Sequence, residues 1–170
     1  RVVAVFAASG VVCLMSLLPT SVNATELPEL KITDLVTHAD KIIVADVLDH
    51  RTEFVGGIIW TRTRVRVSDC LKQGDCVPGD EVVVSTPGGV VGDVGQEVSG
   101  VSHPQSGQTL VFFLRKGAGN VYRPIGMAQG MLRVEILAGM PMAVRDLSRT
   151  NLWHRSMTMP LDELKDLVQH

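Results

Sequence analysis

Between Ile58 and Ser68 the chain alternates with a period of two: Ile59, Thr61, Thr63, Val65 and Val67 share one parity, Trp60, Arg62, Arg64, Arg66 and Ser68 the other. Strand side chains point to opposite faces in turn, so this pattern predicts a strand with one face in the core and one in water. Residues 41–48 (Lys-Ile-Ile-Val-Ala-Asp-Val-Leu) are β-branched and apolar on both parities, which predicts a central strand covered on both sides. Residues 109–114 (Thr-Leu-Val-Phe-Phe-Leu) read the same way and form the most apolar strand. Pro78-Gly79 supplies a tight turn into a strand at residues 81–86. A further strand is expected at residues 121–125, then a hairpin of residues 127–137 and 140–147 turning at Ala138-Gly139. Two segments have helical spacing. Ile32, Leu35, Val36 and Ala39 predict a helix over about residues 29–39, and Pro160, Leu161, Leu164, Leu167 and Val168 a C-terminal helix over about residues 159–169, with Pro160 in its first turn.

Residues 88–107 break the pattern. Gly88, Gly89, Gly92, Gly95, Gly100 and Gly107 punctuate a valine-containing stretch too long for a bare connection, so it is either a distorted strand whose valines enter the core or a functional loop. Helix, six or seven short strands and helix make one mainly β domain, a small closed or nearly closed β-barrel with a short N-terminal helix and a C-terminal helix over its ends.

The apolar run from Val2 to Leu18, the Pro19 break and the small residue Ala24 predict a signal peptide over residues 1–24. Cleavage there leaves a single domain over residues 25–170 with no membrane attachment, in a secreted or periplasmic location. With 16 Lys+Arg against 18 Asp+Glu the chain is mildly acidic, which disfavours bulk attraction to nucleic acid or anionic lipid. Cys13 lies in the leader, so Cys70 and Cys76 remain, an even count that reads as a disulfide in an exported chain. Their loop is short, and such a bond contributes only about 2 kcal/mol.

The segments Ala39-Asp-Lys-Ile-Ile-Val-Ala-Asp-Val47, Gly107-Gln-Thr-Leu-Val-Phe-Phe-Leu114 and Gln129-Gly130 resemble bacterial secreted domains of the netrin-like type, over about residues 34–134. That group has an OB-type barrel and includes the tissue inhibitors of metalloproteinases. The resemblance implies an OB-type fold and a non-catalytic binding role. The metalloproteinase inhibitors chelate their target's zinc through the amine and carbonyl of an N-terminal Cys; the expected start at Thr25 has no Cys near it, so that mechanism is not carried over.

Candidate chemistry is sparse. Trp60, Arg62, Arg64 and Arg66 place an indole and three guanidiniums on one strand face, the equipment with which exposed barrel faces hold polyanions. Asp69, Asp75 and Glu81 lie close enough in sequence to neutralise them instead. A protein or acidic glycan is the expected partner, ahead of nucleic acid. Gly88, Gly89 and Gly92 of the loop are the second binding candidates, since loops on rigid barrels carry binding. A hydrolase would draw on Ser102, His103 and Asp93, but no Gly-x-Ser-x-Gly elbow is present. Cys70 and Cys76 lack Cys-x-x-Cys spacing, and His38, His50, His103, His154 and His170 form no metal-ligand pattern, so no catalytic residue, metal or cofactor is expected. Trp153-His154 is expected to cover the barrel. A structural subunit of an exported complex is the remaining alternative, and it requires a large exposed apolar patch.

Overall fold

The computed structural model describes residues 28–72, 75–148 and 156–169. The expected signal peptide, Trp153, His154 and His170 lie outside the described residues. The order is α1 (Ile32–His38), β1 (Lys41–Val55), β2 (Ile58–Cys70), β3 (Glu81–Pro87), β4 (Gly89–Val91), β5 (Val94–Gln96), β6 (Thr109–Lys116), β7 (Val121–Pro124), a 3-10 turn (Met127–Gly130), β8 (Met131–Leu137), β9 (Met140–Arg145), β10 (Met157–Pro160) and α2 (Leu161–Gln169).

The fold is mainly β and its sheet is ring-like. Pairing runs β1-β2-β3-β7-β6, and β6 returns to β1, while β8, β9 and β10 continue outward from β6. The seam between β3 and β7 is parallel and thin, made by Val83 opposite Val121 and Val84 opposite Tyr122. The other ring pairings are antiparallel.

Two apolar cores share the central strands. Ile43, Ala45 and Val47 of β1 and Leu110, Phe112 and Leu114 of β6 meet Val65, Val82, Val84 and Tyr122 inside the ring. The alternate residues Ile42, Val44, Val111 and Phe113 point outward, where Leu35 of α1 and Leu161 and Leu164 of α2 cover them. This is why β1 and β6 are apolar on both parities. In β2 the expected inner set, Ile59, Thr61, Thr63, Val65 and Val67, is buried throughout.

Four boundaries differ from the sequence pattern. The first helix starts at Ile32 instead of near residue 29, because the segment before it is held extended: Gln129 accepts from Leu30 N–H at 2.8 Å and donates to the Pro28 carbonyl at 2.9 Å, while Arg145 donates to the Leu30 carbonyl at 2.8 Å. β1 runs on to Val55, as half of a long ribbon with β2. Residues 127–130 form a 3-10 turn, not strand, because Gly126 (φ 61°) and Met127 (φ 59°) adopt the left-handed region and turn the buried Gln129 amide inward. Pro160 ends β10 and α2 begins after it; that short strand, paired with β9, has too few residues to show a period.

Cys70 and Cys76 form the expected disulfide, with 6.1 Å between their Cα atoms. It packs against the inner core at the end of β2. Reduction is expected to cost about 2 kcal/mol and to leave the ring intact. Urea unfolding with and without reductant, after mapping of the Cys70–Cys76 peptide by mass spectrometry, checks this.

Candidate binding face

The arginine stripe is embedded in a lattice of carboxylates. A bulge at Leu48 shifts the register of β1 against β2 between Val47 and Asp49. Before the bulge, odd-numbered residues of β1 face the interior; after it, Asp49, Arg51 and Glu53 lie on the outer side with the arginines of β2. Asp49 stands directly opposite Arg64, with Arg64 Nε 3.1 and 3.2 Å from its two oxygens. Arg64 also reaches Glu81 of β3 at 3.3 Å, and Arg66 reaches the same carboxylate at 3.2 Å. Arg62 pairs with Glu53. Charge therefore runs negative, positive, negative across β1, β2 and β3.

The hydrogen bonds from Arg64 hold the Asp49 carboxyl below the usual carboxylate range, and Asp49 in turn raises the Arg64 guanidinium. The indole of Trp60 is covered by the guanidinium of Arg123, 4.7 Å from the ring centroid. The β1–β2 register also sets like charges against each other. Arg51 stands directly opposite Arg62 across the β1–β2 pair. Both arginines, with Asp49, Arg64 and Val83, line an open depression of about 300 Å³.

The glycine-rich stretch is neither a core strand nor a loose loop. Its first part is the hairpin β4–β5, with Gly92 (φ 57°) and Asp93 at the turn and Val90 and Val94 exposed. The hairpin lies along the β1–β2 ribbon: Thr61 donates to the Gly88 carbonyl at 2.7 Å, Thr52 to the Val90 carbonyl at 2.5 Å, and Gly88 N–H to the Ile59 carbonyl at 2.7 Å. A Cβ on Gly89 would sit 2.6 Å from Thr61 Oγ1 and 2.8 Å from Thr52 Cγ2, so glycine is required there by close approach. Thr61 and Ile59 are on the opposite parity from Trp60 and Arg62. Gly88 and Gly89 thus approach the other face of β2, and the two candidate features do not form one site.

Residues 97–108 return across the end of the ring. Ala128 N–H donates to the Gly100 carbonyl at 3.0 Å and Gly107 N–H to that of Val47 at 2.9 Å. Half-buried His103 places Nδ1 3.2 Å from Thr86 Oγ1. Its titratable neighbour is His50 on β1; Thr86 and Gly88 are uncharged. Burial first, and His50 second, push the His103 imidazole below its ordinary pKa. A catalytic histidine needs a carboxylate on one nitrogen and the nucleophile on the other. Here Thr86 occupies Nδ1, Asp93 sits at the hairpin turn, and Ser102 is exposed. His38 is bonded within its own helix, to the Asp34 carbonyl at 2.7 Å. Among the described residues no group of three or more His, Cys, Asp or Glu side chains is placed to hold a metal.

The sequence pattern misses Asp49, Arg51 and Glu53 because it ends the first strand at Leu48, whereas β1 runs to Val55. Their alternation with His50, Thr52 and Phe54 was the available signal. Against known proteins, the chain matches no family model, no curated protein and no solved structure.

Gly89→Ala is expected to destabilise more than Gly92→Ala in chemical unfolding. Gly92 has open space around it, so Ala there meets only the left-handed backbone cost of about 1–2 kcal/mol, whereas at Gly89 overpacking of about 1–3 kcal/mol is added. A depressed histidine pKa means the unfolded chain binds more protons than the native one, so stability is full at high pH and falls as pH drops below about 6.5 toward the folded value. The melting temperature should therefore decline between pH 7.5 and 5.5, and the decline should be shallower in His103→Asn.

Proposed function

We propose that this chain is an exported, non-catalytic interaction module of the netrin-like type, which docks an anionic partner on the outer face of β1, β2 and β3. The partner chemistry is carboxylate or sulfate, as on an acidic glycan or an acidic protein surface. The ring-like sheet supports the OB-type part of this reading. The Cys70–Cys76 disulfide supports export, since such bonds persist in oxidising compartments. Among the described residues no helix is long and apolar enough to cross a membrane.

The observation that carries the reading is the Arg51–Arg62 opposition at the depression. Like charges directly opposite in a sheet are destabilising. Glu53 answers Arg62, and Asp49 is already engaged by Arg64. An incoming anion placed between Arg51 and Arg62 removes their repulsion. The carboxylates around them, Asp49, Glu53 and Glu81, repel any anion that strays from the gap between Arg51 and Arg62, and so narrow the site to an anion of fitting shape. Trp60, already stacked by Arg123, is not a free platform for bases, which disfavours nucleic acid.

Arg51→Glu tests this directly. It replaces a repulsive pair with an attractive one, so the melting temperature should hold or rise, while retention on a sulfated polysaccharide resin and on an immobilised acidic protein should shift to lower salt. The resin that shows the larger shift identifies the partner class. Unchanged elution from both would overturn the reading.

A further inference from the structure

Arginines oppose each other a second time on the β6–β7 pair, where Arg115 stands directly opposite Arg123. Both are exposed, and among the described residues neither has a carboxylate within ion-pair distance. Asp40, whose N–H bonds the Leu114 carbonyl beside them, has one carboxylate oxygen engaged by Lys116 N–H at 2.8 Å.

Strand register joins this pair to the depression. Arg51 is opposite Arg62, and Arg62 is opposite Ser85. Val84 is opposite Tyr122 in the parallel β3–β7 pair, so Ser85 and Arg123 follow as the next neighbours, and Arg123 faces Arg115. One transverse row thus crosses β1, β2, β3, β7 and β6, with an arginine in four places and a serine in the middle. The row points outward, because the chain neighbours Val84, Leu114 and Tyr122 fill the ring interior. The Arg123 guanidinium over the Trp60 ring marks the same side independently, since Trp60 shares the outer face of β2 with Arg62. β6 rejoins β1 with Lys41 opposite Leu114, so the row that leaves β1 at Arg51 returns to it at the strand's first residues. A ring staggered that far tilts its strands steeply, and a line perpendicular to them runs more along the ring axis than around it. The four guanidiniums therefore lie along one side of the molecule.

Three features specify what the row holds. The centres of the two arginine pairs are three strand spacings apart, about 14 Å, so a single sulfate or carboxylate fills one gap and only a chain fills both. Between the pairs Ser85 is 3% exposed and its hydroxyl bonds no described group, which leaves a polar, uncharged contact in the middle. Asp49, Glu53 and Glu81 flank the β1–β3 half and repel a densely charged ligand. A nucleic-acid strand, with a charge about every 3.4 Å, would bring phosphates against those carboxylates. An extended acidic peptide repeats its same-face carboxylates at about 7 Å, half the interval, and would place every second one on the uncharged middle. A linear acidic glycan, whose anionic groups are separated by neutral hydroxyl-bearing sugar, meets arginines at both ends and Ser85 between them.

We infer that Arg115 and Arg123 form a second anion site, and that the two arginine pairs together hold one linear acidic glycan along the row. This rests on the anion docking proposed above and extends it to a site outside the depression and to one partner class.

The test measures binding of size-fractionated chondroitin sulfate oligosaccharides, from disaccharide to octasaccharide, to the full chain by titration calorimetry. Affinity should climb at least ~tenfold once the oligosaccharide reaches both pairs, because the second anion then arrives at the high effective concentration of a tethered group. Arg115→Glu turns a like-charge pair into an attractive one, so the melting temperature should hold. It should erase the climb while the disaccharide still binds at the depression. Lys116→Glu makes the same charge change on the opposite parity of β6 and should leave the climb intact. Loss of the climb in both variants would overturn the inference in favour of bulk charge. An intact climb in Arg115→Glu, with binding lost in Arg51→Glu, would overturn the second site and keep the depression. Tighter binding of poly-glutamate or of an oligothymidylate than of the octasaccharide would overturn the glycan assignment. No binding of any oligosaccharide would overturn this inference, whereas the anion docking itself would still stand on retention by the acidic protein.

Discussion

Everything in this molecule hangs on the two-sided burial of β1 and β6. Each strand gives one parity to the ring interior and the other to the layer beneath α1 and α2, so neither core can form without the other. Phe112 and Phe113 are consecutive and both fully buried, one in each core. Truncating a buried phenylalanine costs about 3–5 kcal/mol, a large part of a small domain's total stability. Packing on both sides also fixes the position of β6 rigidly, and with it the origin from which the exposed hairpins extend.

Period-two and helical patterns carried the elements whose burial is regular. The inner face of β2, the double burial of β1 and β6, the β8–β9 turn and the Cys70–Cys76 pairing were all readable from residue order, because each reflects a local rule. What the pattern hid was set by contacts distant in sequence. The extended start at residues 28–31 depends on Gln129 and Arg145, and no local signal there opposes a helix. The same pair of residues shows why a buried Gln is tolerated at position 129: both ends of its amide are used by backbone.

The candidate face was half legible. Alternation placed Trp60, Arg62, Arg64 and Arg66 together on the outside, and Glu81 was foreseeable as a partner. A single extra residue, Leu48, decided the rest by moving Asp49, Arg51 and Glu53 to the arginine side. The glycines, expected in either a distorted core strand or a functional loop, are instead thin places where β4 lies close on Thr52 and Thr61. A surface read as cationic from one strand is thus close to electroneutral once its neighbours are in place, with Arg51 left directly opposite Arg62.

The tether on residues 28–30 also orders events in time. A chain is delivered to its surroundings beginning with its first residues, yet the groups that hold Leu30 and Pro28 are 99, 101 and 115 positions later. Until those residues emerge, the early segment has nothing to fasten to, and β1 still awaits β6. Such a chain stays open through most of its own production and shuts late, when its last third is in place to fasten its first described residues.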